Sequence, residues 1–206
     1  MNFAEYNVKD ANLEEVLLAL KSLDTIEAVA LGGSRSTGAS DENSDYDIYV
    51  YCAEIPTAET RENLLGKYCS IAEFGNHYWE SEDNTVMNNG ISVDIIYREV
   101  DRFGRYIDTV IKGGKAFNGY TTAFWHNIKN SKVLFDKTGT FTKFRDMAQI
   151  DFPENLRSAI IKNNRNLLNG KLPSYDRQIK KAQERGDIVS VNHRITAFLE
   201  SYFDVI

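Results

Sequence analysis

Cysteine is scarce: Cys52 and Cys69 are the only two in 206 residues. A chain long enough to bury a full core does not need staples, so a disulfide framework is not indicated and buried free thiols are expected. Long apolar runs are missing too. None approaches the roughly 20 residues that cross a bilayer, and the first ten residues carry no basic segment followed by an apolar one, so the expectation is no membrane partner and a cytoplasmic address. Positive charge is in deficit, with a formal net charge of −6, which argues against a protein that coats nucleic acid. Internal repeats and low-complexity segments are absent, and His77, His126 and His193 have no ligand spacing with one another.

What is present is ordinary globular composition, 42% hydrophobic and 26% charged, with enough aromatic residues to build a core. Leu13, Val16, Leu17 and Leu20 recur at helical spacing behind Asp10 or Asn12 as a cap, predicting a helix over 12–23. A short apolar run over 26–31 predicts a buried strand that stops at Gly32 and Gly33. Tyr46, Ile48 and Val50 alternate with Asp45, Asp47 and Tyr49, a strand with one packed face and one functional face. Helical patterns follow over 57–68, 101–112 and 121–130, with a strand or hairpin over 74–86, a strand over 91–97 and an edge strand at 133–135. On the strand over 91–97, Ser92, Asp94 and Ile96 project one way, and Val93 and Ile95 the other.

Beyond Gly139 only helical patterns remain, so the domain boundary is set near residue 138, giving units 1–138 and 139–206. Basic residues from Arg157 to Arg185 outnumber acidic ones, a solvated helix face or a basic wall towards a triphosphate. The last segment carries Ile195, Phe198, Leu199, Tyr202, Phe203 and Ile206, an apolar face rich enough to need cover. Either a chain cut short or a homodimer over this face accounts for it.

The informative stretch is Gly32-Gly33-Ser34-Arg35-Ser36-Thr37-Gly38 followed by Ser44-Asp45-Tyr46-Asp47-Ile48-Tyr49-Val50. A strand, a glycine turn and a helix start bring backbone N–H groups and the Ser34 hydroxyl to bear on an anion, a phosphate cradle in which Gly33, Ser34 and Arg35 are the candidate nucleotide-binding residues. Two carboxylates, Asp45 and Asp47, two residues apart just after such a cradle, can hold a hard cation that also touches phosphate oxygens. Asp94, on a matching polar face of another strand, can complete a second metal position. Asp41 and Glu42 in the intervening loop are read as solvated.

These residues resemble the signature of the polymerase-β-like nucleotidyltransferase superfamily: a Gly-Ser turn, about ten residues, then Asp-x-Asp followed by apolar positions. The third acid of such proteins follows on a later strand, as Val93-Asp94-Ile95 does here. The likeness covers roughly residues 26–97 and extends to small bacterial members, those that modify aminoglycosides or lincosamides and the minimal ones of toxin–antitoxin pairs. It implies an α/β fold, a small mixed sheet flanked by helices and followed by a C-terminal helical domain. It also implies catalysis and metal binding by Asp45, Asp47 and Asp94, with two Mg2+ ions and ATP or another nucleoside triphosphate. The expected reaction is transfer of a nucleoside monophosphate to a hydroxyl of a small, antibiotic-like molecule with release of pyrophosphate. The alternatives are a protein adenylyltransferase of toxin–antitoxin type and an inactive nucleotide- or partner-binding module.

Overall fold

The computed structural model describes residues 10–41 and 44–206, so the readings of the first nine residues and of Glu42 lie outside the described residues. In chain order the elements are α1 (Ala11–Lys21), β1 (Ile26–Leu31), α2 (Gly33–Thr37), β2 (Tyr46–Cys52), α3 (Ala58–Leu65), β3 (Cys69–Asn76), β4 (Ser81–Met87) and β5 (Ser92–Glu99). There follow α4 (Val100–Ile111), α5 (Ala123–Asn130), β6 (Lys132–Asp136), α6 (Thr140–Ala148), α7 (Glu154–Leu168), α8 (Tyr175–Glu184) and α9 (Ile188–Val205). The fold is α/β, as expected. Among the described residues no helix is long and apolar enough to cross a membrane.

The chain divides into two compact units that interleave: residues 1–105 with 127–149, and 106–126 with 150–206. The expected boundary near 138 falls inside the second stretch of the first unit, because α6 packs on β1 and β6.

The first unit is built on a six-stranded mixed sheet in the order β3-β4-β5-β2-β1-β6. β2 and β5 are parallel, and every other pairing is antiparallel. Asp10 caps α1 by accepting from the amides of Asn12 and Leu13 at 3.0 and 3.3 Å, which meets two otherwise orphaned donors. The apolar stripe of α1 then lays Leu13, Val16, Leu17 and Leu20 on Ile26, Val29, Ile48, Val50, Val93 and Ile95 of the three central strands. Tyr51, on the opposite face, is enclosed by Phe103 of α4 and by Phe141 and Phe144 of α6 at centroid separations of 5.3, 5.2 and 6.0 Å. Both faces of β2 are therefore packed beyond Asp47, and the strand ends in the fully buried Cys52.

Sequence alternation does not reveal β3, whose middle residues Ser70, Ile71, Ala72 and Glu73 are all exposed. An edge strand with neither face buried has no hydrophobic period to read. Behind it, Arg61 of α3 and Asp83 of β4, both at most 2% exposed, pair at 3.1 Å. Burial pushes the Asp83 carboxyl above its ordinary value, although the Gly75 amide and the Arg61 charge pull the other way.

The second unit is helical. α9 packs on α7 and α8, and its Asp204 accepts from Thr121 N and Oγ1 and from Asn164 Nδ2 at 2.8–2.9 Å. Tyr106 contributes an aromatic patch with Phe117 and Phe124 at 5.5 and 4.9 Å.

Candidate active site

The glycine turn is the hinge of the site. β1 ends at Leu31, and the Gly32 amide donates to the Asp47 carbonyl at 2.8 Å, tying the turn to β2. Gly33 then adopts φ 57°, and a Cβ placed on it would stand 1.8 Å from Asp47 Oδ2. A Cβ on Gly32 would stand 2.2 Å from Cε2 of Tyr49. Only residues without a side chain let the backbone lie against the Asp47 carboxylate and the Tyr49 ring, which is the physical reason for two successive glycines here. α2 begins at Gly33 itself and ends in the left-handed Gly38.

Arg35 holds the far side of the loop. Its Nε donates to the carbonyls of Ser44 and Asp45 at 2.9 and 3.0 Å, its Nη2 also donates to Ser44, and its guanidinium lies 4.1 Å from the centre of the Tyr46 ring. These contacts fix the backbone immediately before Asp45. Ser34 stands half-buried in the turn, its carbonyl accepting from the Thr37 hydroxyl at 3.1 Å.

Parallel pairing of β2 with β5 sets Tyr46 beside Val93 and Asp47 beside Asp94. Neighbours in one row of a sheet project to one face, so these two carboxylates are side by side across the ladder. Asp45 lies just before β2 on the same alternation. The Asp47 carboxyl is pushed above its ordinary value by burial and then by the charges of Asp45 and Asp94, its two acidic neighbours. They do not close into a cage: among the described residues no three His, Cys, Asp or Glu side chains are grouped closely enough to hold a metal ion. The donors offered are all carboxylate oxygens beside a glycine turn, a set whose chemistry suits a hard divalent cation.

Three supporting residues escape the sequence reading. Asn84 of β4, opposite Asp94 in the ladder, donates from Nδ2 to Asp94 Oδ1 at 2.9 Å, and its own Oδ1 accepts from Asn76 at 2.6 Å. Arg98 of β5, 4% exposed, is gripped by both oxygens of Glu80 at 2.8 and 2.7 Å and sits 4.2 Å from the Tyr49 ring centre. Asn127 donates to the Tyr49 hydroxyl at 3.1 Å. Strand register brings Asn84 to Asp94 and Arg98 beside Tyr49, helix packing brings Asn127 to Tyr49, and a single sequence carries no sign of either. Of the nearby acids that could rival Asp94, Glu80 is spent on Arg98 and Asp83 is sealed in the core with Arg61.

The fold thus presses a glycine turn on one carboxylate and sets a second carboxylate in register beside it. The nucleotidyltransferase domain family matches residues 13–117, about half of the chain, and the chain belongs to that family. It is a nucleotide-binding transferase of the polymerase-β-like superfamily. No curated protein matches the sequence. Among solved structures, the spectinomycin adenyltransferase AAD(9) from Enterococcus faecialis with ATP and spectinomycin is 14% identical at a TM-score of 0.42, covering 94% of this chain and 89% of that one. A toxin–antitoxin structure with AMP-PNP is 16% identical at 0.38, covering 85% and 96%. A nucleotidyltransferase-like protein from Exiguobacterium sibiricum 255-15 is 10% identical at 0.41, covering 90% of this chain and 51% of that one. Likenesses this distant say nothing of substrate.

Proposed function

We propose that the protein transfers a nucleoside monophosphate from ATP or a related triphosphate to a hydroxyl of a small basic molecule, an aminoglycoside being the type. The observation that carries the reading is the contact of the Gly33 backbone with Asp47, in register with Asp94. In this reading the acceptor oxygen attacks the α-phosphorus in line, the bond from that phosphorus to the bridging oxygen breaks, and pyrophosphate leaves with the electron pair. Asp94, oriented by Asn84, accepts the hydroxyl proton. The backbone of Gly33 and the Ser34 hydroxyl hold the β- and γ-phosphates, while Arg35 keeps the loop before Asp45 in place. Divalent cations, two Mg2+ ions held by Asp45, Asp47 and Asp94, would supply the charge neutralisation that lets a triphosphate lie against carboxylates. A homodimer and a cytoplasmic location, where nucleoside triphosphates are made and used, complete the proposal.

A basic acceptor is supported by the same face of the sheet. The row of Asp94 continues through Asn84 to Glu73, and the row of Ile96 continues through Glu82 to Asn76. Burial and the neighbouring charges of Asp94, Glu80 and Asp83 raise the Glu82 carboxyl above its ordinary value. A face with this sign attracts a polyamine-bearing sugar and repels a further anion. The test is incubation with labelled ATP, Mg2+ and a panel of aminoglycosides, lincosamides and cell protein. Label on a basic small molecule is expected. Label confined to protein would replace this acceptor by protein adenylylation.

A further inference from the structure

The outward face of α9 is apolar and regular in a way that identifies its partner. Ile188, Asn192, Ile195, Leu199, Tyr202 and Ile206 follow at alternating steps of four and three residues. That is the spacing of a coiled-coil seam, positions that stay on one side of a helix as it winds round another. All six are exposed, Ile188 at 73% and Ile206 at 79%. The inward side of α9 is already used: Ser201 is buried, Asp204 holds Thr121 and Asn164, and the helix packs on α7 and α8. One side of this helix is thus built into its own unit, and the other is a complete seam.

We propose that this seam pairs with the same seam of a second copy, antiparallel, about a two-fold axis beside residue 197. The seam is complementary to itself in that register and supplies its own partner at every level. Ile188 meets Ile206 of the second copy, Asn192 meets Tyr202, and Ile195 meets Leu199; the two-fold repeats each pair. The one polar amide in the stripe faces the one phenol hydroxyl, so Asn192 gains a hydrogen-bonding partner where an aliphatic neighbour would leave it unpaired. Alongside, exposed Val189 meets exposed Phe203. The charged residues of the helix, Arg194, Glu200 and Asp204, lie off the stripe, so nothing on it repels a copy of itself, and antiparallel helix dipoles attract. At about 1.5 Å per residue the paired length is roughly 27 Å. Covering the stripe on both copies buries on the order of 1,000–1,500 Å2, above the floor for a biological interface and reaching the lower part of the stable range.

Sedimentation or light scattering at tens of micromolar tests it. The wild-type chain should have twice the monomer mass of 23.4 kDa, whereas Leu199→Glu, which sets a charge in the central layer, should stay monomeric with an unchanged circular dichroism spectrum. Should that variant lose its fold, Ile195→Lys on the same layer takes its place. Register is read by cross-linking in a Cys69→Ser background. Thr196→Cys lies close to its own copy across the axis and should oxidise to a disulfide dimer, while Val189→Cys, remote from its copy in antiparallel pairing, should not. A monomeric wild type, a dimer that survives the seam substitutions, or cross-linking at 189 in place of 196 overturns the proposal.

Discussion

Gly33 has no side chain, and that sets how closely the turn approaches Asp47. Gly33→Ala would force a left-handed alanine, at a cost of about 1–2 kcal/mol, and push the Asp47 carboxylate aside. Transfer should drop by on the order of 10²-fold, as misplacement by an ångström does, while the melting temperature falls by only about 2–8 °C and the chain stays folded at assay temperature. Undiminished transfer would mean the close approach is incidental. The two thiols offer a simpler check. Burial pushes the Cys52 thiol up to about 12 and raises that of Cys69, which is half-buried. Since the thiolate is the reactive form, native protein at neutral pH should take up alkylating reagent slowly at Cys69 and at Cys52 only on unfolding. Mass spectrometry of labelled peptides reads both. The sequence made the glycines, Asp45 and Asp47 visible because their meaning is local, within a turn and one strand. It could not show that Arg35 would be spent on the Ser44 and Asp45 carbonyls, which depends on the path of a loop.

At the scale of elements, the parallel register of β2 and β5 is what converts two separate strand acids into a pair. Asp94→Asn should keep the packing of Val93 and Ile95 and retain nucleotide, yet lose turnover by on the order of 10²-fold or more if Asp94 holds both metal and proton. Calorimetry for Mg–ATP beside a turnover assay separates the two. Equal loss of both would make Asp94 a nucleotide ligand only. The α3–β4 contact makes a different demand, for Arg61 and Asp83 are an ion pair sealed from water. Arg61→Met leaves a buried carboxylate without its counter-charge and should cost about 3–5 kcal/mol in denaturant unfolding. A change under 1 kcal/mol would show the pair to be dispensable. Helix periods, caps and breaker glycines placed most elements from sequence. The exceptions follow from the same physics: exposed β3 has no period, and the Asn84 and Arg98 contacts depend on strand pairing across 10 and 18 residues.

At the scale of the whole molecule, the chain leaves its sheet unit after residue 105 and returns to it at 127, so a single cut does not separate the units. A fragment 1–138 lacks Phe141 and Phe144, which enclose Tyr51. It should melt below a fragment 1–149 that retains them, as followed by circular dichroism; equal melting would place α6 outside the unit's core. The end of strand signals suggested a boundary near 138, and an amphipathic helix does not announce which unit it packs on. The seam of α9 was legible as an apolar face, and only its exposure in the folded chain separates it from core. All of this serves one claim, that Asp45 and Asp47 beside the glycine turn perform nucleotidyl transfer with a divalent cation. The direct measurement is pyrophosphate release from ATP with a competent acceptor, at saturating Mg2+, for the wild type and for Asp45→Ala and Asp47→Ala with unchanged circular dichroism. Release should be abolished in each variant and, in the wild type, by chelation of the metal. Near-normal release from either folded variant would contradict the account.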